Sequence, residues 1–282
     1  MRVLVTGAAS GLGAALSDAF EARGDEVLRT DVVAESGFEM LAGARSSTTE
    51  GTSVVEEGEE RARLETTRPT MKLDVTSDED WAAARGWVEQ EWGGLDVLVN
   101  NAGVAGGGRL DVATLDEWQW ITEINLFGAV RGTRTFVPMF KSQRSGHIVN
   151  IASLAGLVHP AGMASYNAVK AAVVALSETT GHELASYDVR CSVVCPSYFR
   201  TNLIDGMRGS DEALGAVIGQ LIESSPFSAA DIAAAVLEGM ERGEDVIIPD
   251  EAAREAWKLK QNDRRGYDAV MRKQAARLDR MG

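Results

Sequence analysis

The sequence predicts an α/β fold, a single doubly wound parallel sheet of about seven strands with helices on both faces. Three observations carry that expectation. Short apolar runs of β type alternate with longer segments of helical period along most of the chain. The first run leads straight into a glycine-rich turn and then an Ala-rich helix. At 282 residues and 45% apolar content, the chain suffices for one continuous core.

The first strand is RVLVT, followed by the turn and the helix GLGAALSDAFEARG. EVLRTDV and MKLDV are the next two strands, and SDEDWAAARGWVEQEWG is a helix between MKLDV and the strand LDVLVNNAG. A long helix is expected from Val112 to Lys141. HIVNIAS, the helix MASYNAVKAAVVALSETTGHELAS, VRCSVVCPS, the helix IAAAVLEGMERG and DVIIP complete the alternation. Residues 1–250 therefore read as one domain, and residues 251–282 as a helical C-terminal tail. Residues 34–70 are polar, acidic and rich in Thr, Ser, Glu and Gly, which predicts a surface insertion. Residues 202–227 mix apolar residues with Gly, Ser and Pro, as a cover over a substrate site would.

A net charge of −14 argues against nucleic-acid binding through phosphates. No charge-free apolar run reaches membrane-spanning length, and the first strand is too short for a secretory core, so a cytoplasmic protein without membrane partners is expected. From Glu251 onward nine Lys or Arg stand against five Asp or Glu, so the tail is cationic and is expected to dock on an acidic body, its own or a neighbour's. Cys191 and Cys195 lie on one strand, where four residues span about 13 Å, beyond the roughly 7 Å a disulfide allows. They are expected as reduced core thiols. His147, His159 and His182 have no metal-ligand spacing with them, so no metal site is expected.

The turn Thr6-Gly7-Ala8-Ala9-Ser10-Gly11-Leu12-Gly13 has the spacing G-x-x-x-G-x-G. Glycines at a strand-to-helix junction let the backbone approach a pyrophosphate, whose charge is favoured by the free N–H groups of the helix start. The Lys-Ser/Thr of a nucleotide-hydrolysing loop is missing. Asp31 closes the second strand, where a carboxylate accepts hydrogen bonds from an adenosine ribose and repels a 2′-phosphate. NAD is accordingly favoured over NADP, with Arg29 on the same strand face as the one contrary sign.

Tyr166 and Lys170 are four residues apart, and four helical steps of about 100° leave them about 40° apart on one face. An ammonium about 5 Å from a phenol is worth about 3.3 kcal/mol at an effective dielectric near 20, which takes the phenol from about 10 to about 7.6. The bland alternative is a packed Tyr covered by a Lys stem.

TGAASGLG, LDV at 73–75, NNAG at 100–103, INLFG at 124–128, IAS at 151–153, YNAVK at 166–170 and CPSYFRT at 195–201 occur in one order. In this the chain resembles the short-chain dehydrogenase/reductase superfamily, from Met1 to about Pro249 apart from the insertion. The resemblance implies a Rossmann-like fold and an NAD(P)-dependent oxidoreductase interconverting a secondary alcohol and a ketone. It implies Tyr166 as general acid/base, Lys170 as its electrostatic partner and a contact to the nicotinamide ribose, and Ser153 as the hydroxyl that positions the substrate oxygen. Asn125 matches the residue that distorts its helix and holds a water leading from Lys170 to solvent. For the cofactor it implies Gly7, Ser10, Gly11, Leu12 and Gly13 at the phosphates, with Asp31 at the ribose. Asp74 and Val75 fall at the adenine, and Asn101, Ala102 and Gly103 beneath the adenosine half. Tyr166, Lys170, Pro196, Phe199 and Thr201 then surround the nicotinamide end.

Ser153, His159, Tyr166 and Tyr198 are the implied substrate contacts, with Val104, Leu203 and Met207 as further lining. Pro196-Ser197 departs from the family's usual Pro-Gly, and a serine there restricts φ and adds a side chain. Trp118 and Trp120 read as helix packing rather than a ligand platform. The family also implies a homo-oligomer, tetramer or dimer. Two other readings are a catalytically silent dinucleotide-binding regulatory or scaffold protein, and a dehalogenase-like relative; the glycine loop and Lys170 speak against the latter.

Overall fold

The computed structural model describes residues 1–33, 69–201 and 209–281. The expected surface insertion lies almost wholly outside these residues, as do Leu203 and Met207.

Seven strands form one parallel sheet in the order β3-β2-β1-β4-β5-β6-β7. They are β1 (Arg2–Thr6), β2 (Glu26–Asp31), β3 (Thr70–Lys72), β4 (Val97–Asn100), β5 (Gly146–Ile151), β6 (Val189–Val194) and β7 (Val246–Ile247). The helices are α1 (Gly11–Ala22), α2 (Asp78–Trp87), α3 (Leu115–Thr122), α4 (Gly128–Gln143), α5 (Ala155–Val158), α6 (Ala164–Leu184), α7 (Glu212–Glu223), α8 (Ala229–Arg242), α9 (Glu251–Asn262) and α10 (Arg264–Leu278). This is the doubly wound α/β class the alternation predicts.

Strand pleating divides the core between the two faces. Val3 and Val5 point to one side and pack with Leu16, Phe20 and Val236 from α1 and α8. Leu4, between them, points to the other and packs with Trp81, Phe136 and Phe140 from α2 and α4. Every residue of β4 is buried, as a central parallel strand requires.

The long helix expected from Val112 begins at Leu115. Thr114 caps it by accepting from Glu117 N while the Glu117 side chain accepts from Thr114 N. This reciprocal cap halts the helix three residues short of the expected start. Between α3 and α4 the helix widens into a π turn at Glu123–Phe127. Cys191 and Cys195 are free and buried.

The tail folds as α9 and α10, each capped by an aspartate whose side chain accepts from the helix's own backbone, Asp250 from Ala253 N and Asp263 from Gly266 N. It docks on its own body, though not by the expected charge attraction. Tyr267 Oη donates to the Val158 carbonyl at 2.8 Å, and Lys260 Nζ donates to the Leu157 carbonyl. Among the described residues the ion pair joining tail to body is Arg109–Asp279 at 4.0 Å, with the cation on the body and the anion on the tail.

The order of the sheet decides where a ligand can sit. Successive strands run outward from β1 to β2 and β3, then β4 returns to β1's other side, so the crossovers from β1 and β4 leave on opposite faces and a crevice opens at the strands' carboxyl ends. Gly7, Asn101, Ser153 and Pro196 all fall just beyond those ends.

Candidate active site

A cavity of about 1760 Å³ occupies the crevice. It exceeds the roughly 300–1,000 Å³ of a small-ligand pocket, enough for a dinucleotide and a second molecule.

At its β1 end the backbone of Gly7 has φ +66°, and a Cβ there would sit 2.8 Å from the Ala102 Cα. A side chain on Gly13 would collide with the Gly7 carbonyl. The turn is therefore closed to side chains and brings its backbone to the cavity wall. Ser10, the N-cap of α1, makes no capping bond with its side chain, so the N–H groups at the helix start face the crevice without a side-chain acceptor. This is a cradle for a diphosphate, and the residues present fit a dinucleotide. Gly7, Ser10, Gly11 and Leu12 line the cavity, whereas Gly13 supports the turn from behind.

The neighbouring turn is clamped to the first. Thr6 Oγ1 accepts from Asn101 N and Ala102 N, each at 3.0 Å, and Asn101 Nδ2 donates to the Thr6 and Gly7 carbonyls at 2.8 and 3.1 Å. Asn101, Ala102 and Gly103 line the cavity beside this clamp. Asp31 lies on the wall and accepts from Ala9 N at 3.0 Å, with its other oxygen 3.3 Å from Val33 N. Arg29 is turned away and paired with Asp18 at 2.5 Å and Glu21 at 2.9 Å. Asp74 and Val75 also line the cavity; Asp74 accepts from the amide and hydroxyl of Thr76.

At the opposite end Ser153, just beyond β5, meets Tyr166 and Lys170 on α6. Lys170 Nζ lies 5.7 Å from the centre of the Tyr166 ring and donates to the Ile151 carbonyl at 3.0 Å. Burial pushes the Tyr166 phenol up to about 12, against a hydrogen bond with Ser153 that pulls it down. Burial pushes Lys170 down to about 8. This corrects the expectation of a phenol near 7.6. Two groups removed from water each lose more by desolvation than they gain from one another, so in the protein alone both lean toward neutrality.

Asn125 is buried in the π turn, its Oδ1 accepting from Val104 N at 2.7 Å and its Nδ2 donating to the Val104 carbonyl at 3.0 Å. Both ends of the side-chain amide tie the β4 loop to the helix. The helix distortion is as expected, and Asn125 itself stays behind the cavity wall while Val104 lines it.

Pro196, Ser197, Tyr198, Phe199 and Thr201 line the cavity from the loop after β6. Ser197 is not among the described non-glycine residues with positive φ, which are Arg144, His159 and Asp188. The serine therefore costs no backbone strain, and its amide donates to Asp250 Oδ2 at 3.2 Å. His159 is a correction. It is exposed, does not line the cavity, and ends α5 at φ +57° with Nε2 3.1 Å from the Gly156 carbonyl and Nδ1 2.6 Å from Lys260 Nζ. The helix end turns its ring outward to the tail, and Pro160 takes the lining position instead.

Two contributions were not expected. Trp118 and Trp120 of α3 line the cavity rather than only packing. The tail supplies a whole wall, with Leu259 from α9 and Val270, Met271, Gln274 and Leu278 from α10. The spacing 267, 270, 271, 274, 277, 278 is a single helical stripe visible in the sequence.

The model of the short chain dehydrogenase family matches residues 1–211. The chain is 34% identical over 205 residues to trans-4-hydroxycyclohexanecarboxylate dehydrogenase of Sinomonas cyclohexanicum, covering 73% of this chain and 74% of that one. It is 31% identical over 253 residues to 2-(R)-hydroxypropyl-CoM dehydrogenase of Xanthobacter autotrophicus, covering 89% and 94%. A crystal structure of a short-chain dehydrogenase/reductase from Burkholderia phymatum in complex with NAD superposes with a TM-score of 0.78 at 27% identity, covering 93% of each chain. With a family match over three-quarters of its length, a glycine cradle at the sheet's switch point and the serine, tyrosine and lysine at its far end, the chain belongs to the short-chain dehydrogenase/reductase family of oxidoreductases.

Proposed function

We propose that the protein is an NAD-dependent dehydrogenase that interconverts a secondary alcohol and a ketone, with Tyr166 as general acid/base. The observation that carries this reading is one continuous cavity bordered by the Gly7 cradle and by Ser153, Tyr166 and Lys170. Gly7, Ser10, Gly11, Leu12 and the start of α1 would hold the diphosphate, and Asp31 the adenosine ribose. Asp74 and Val75 would hold the adenine, and Pro196, Phe199 and Thr201 the nicotinamide end. The dinucleotide supplies the acceptor or donor of hydride.

Ser153 Oγ donates to the substrate oxygen and fixes its position. Tyr166 Oη gives or takes that oxygen's proton. Lys170, as ammonium, lowers the cost of charge on the phenol and donates to the neighbouring ribose. Water is kept from the reacting end by the apolar wall that Met163, Leu214 and Leu278 build beside Tyr166.

NAD is preferred because Asp31 presents a carboxylate where a 2′-phosphate would have to sit, while Arg29 is occupied by Asp18 and Glu21. The protein works in the cytoplasm as a homo-oligomer. The test is a panel of secondary alcohols offered with NAD and with NADP, following absorbance of the reduced cofactor. NAD reduction with at least one alcohol, faster than with NADP, is expected. Dinucleotide binding without reduction by any of them would make it a silent binding protein.

A further inference from the structure

The apolar stripe that α10 presents to the cavity is interrupted twice, by Gln274 and Arg277. These are i and i+3 on one face, so their side chains are neighbours. Neither has a hydrogen bond or ion pair among the described residues, whereas Arg109, close to the same helix end, is held by Asp211 at 2.8 Å. Among the described residues, the cations lining the cavity are Lys170, at the reacting end, and Arg277. The other charged lining residues are the carboxylates of Asp31, Asp74, Asp116 and Glu123. Leu278, next to Arg277, packs in one cluster with Met163 and Tyr166. An apolar surface thus runs from the phenol to an amide and a guanidinium that lack partners. A protein of charge −14 disfavours anions at large, so Arg277, unpaired among the described residues and solvent-exposed on the cavity lining, is a local exception that can attract them.

We propose that Arg277, assisted by Gln274, is the anchor for a substrate carboxylate, and that the substrate class is a hydroxy or oxo acid with an apolar body between its reacting carbon and its carboxylate. This rests on the alcohol-dehydrogenase reading for which end of the ligand reacts. The guanidinium grips both carboxylate oxygens, and the stripe of Val270, Met271 and Leu278 covers the body.

The test uses a ligand that cannot react. Octanoate and methyl octanoate are titrated by calorimetry into the NAD-loaded full-length protein, alongside Arg277→Gln and Arg277→Lys variants whose folding is checked by circular dichroism. The wild type is expected to bind octanoate about tenfold more tightly than the ester. Arg277→Gln brings that ratio near one, and Arg277→Lys leaves it intermediate. Equal binding of acid and ester by the wild type, no binding of either, or an unchanged ratio in Arg277→Gln would overturn the proposal. Should Arg277→Gln not fold, the wild-type ratio, its fall with added salt and the Arg277→Lys value decide the matter. Because octanoate carries no alcohol, failure of the dehydrogenase reading would leave this ratio intact, and the alcohol panel would detect that failure separately.

Discussion

Lys170 shows how residue chemistry works against stability at this site. It is 5% exposed, and among the described residues it donates to the Ile151 carbonyl. With its ammonium lowered to about 8, the folded protein binds fewer protons than the unfolded chain between about pH 8 and 10.5. Burying the charge therefore destabilises the fold below pH 8, and stability recovers as pH rises through that window. Lys170→Met is expected to stabilise the protein by about 2 kcal/mol at pH 7 in urea unfolding while removing activity, and the gain should vanish near pH 10. A loss of stability at pH 7 would contradict it. Asp31→Ala should lower kcat/KM for NAD about tenfold and leave NADP little changed; an unaltered cofactor preference would refute the ribose assignment. That Tyr166 and Lys170 share one face of a helix was legible from their spacing, while their pairing in a reaction came only from the resemblance. Their protonation was not legible, because Coulomb's law between two residues carries no record of how much water the fold removes from each.

At the scale of elements, the tail's position depends on Arg109. Desolvation would raise the Asp211 carboxyl, but bonds from the Arg109 side chain and amide and from Leu214 N outweigh it and hold it low. Asp211 is also the N-cap of α7, and Arg109 Nη1 reaches the Leu278 carbonyl at 3.5 Å. One ion pair thus ties the β4 loop, α7 and α10 around the cavity. Arg109→Ala leaves the Asp211 carboxylate without its cation and should lower stability, read as a fall in the urea midpoint, with added proteolytic sensitivity after Asn262. The strands and long helices were readable because their periods are local. The tail's role was not: its stripe marks an apolar face without saying which surface it covers, and its net positive charge pointed to acidic partners on the body where backbone carbonyls of the body accept its donors instead. His159 failed for a similar reason, since the residue after a four-residue helix can turn either way until its neighbours are known.

For the whole molecule, the sheet order made the largest part of the site predictable. Once β1 and β4 are neighbours with crossovers on opposite faces, every motif that follows a strand is delivered to one crevice. Assembly is the next level. Leu110, before α3, and Leu115, its first residue, stay 73% and 78% exposed, and Phe127, which closes the π turn before α4, is 46% exposed. Large apolar side chains left in water along a helix pair fit a face covered by another copy. Light scattering is expected to give a dimer or tetramer, and Leu115→Glu should shift it toward monomer; a wild-type monomer would remove the expectation.

The most direct measurement of the central claim compares wild type with Tyr166→Phe, using whichever alcohol is turned over, for both turnover and NAD affinity. The change deletes one hydroxyl from a packed ring, so NAD should bind within about threefold of wild type while turnover falls at least a hundredfold. A variant that binds NAD normally and keeps more than about a tenth of the turnover would show that the proton moves through some other group.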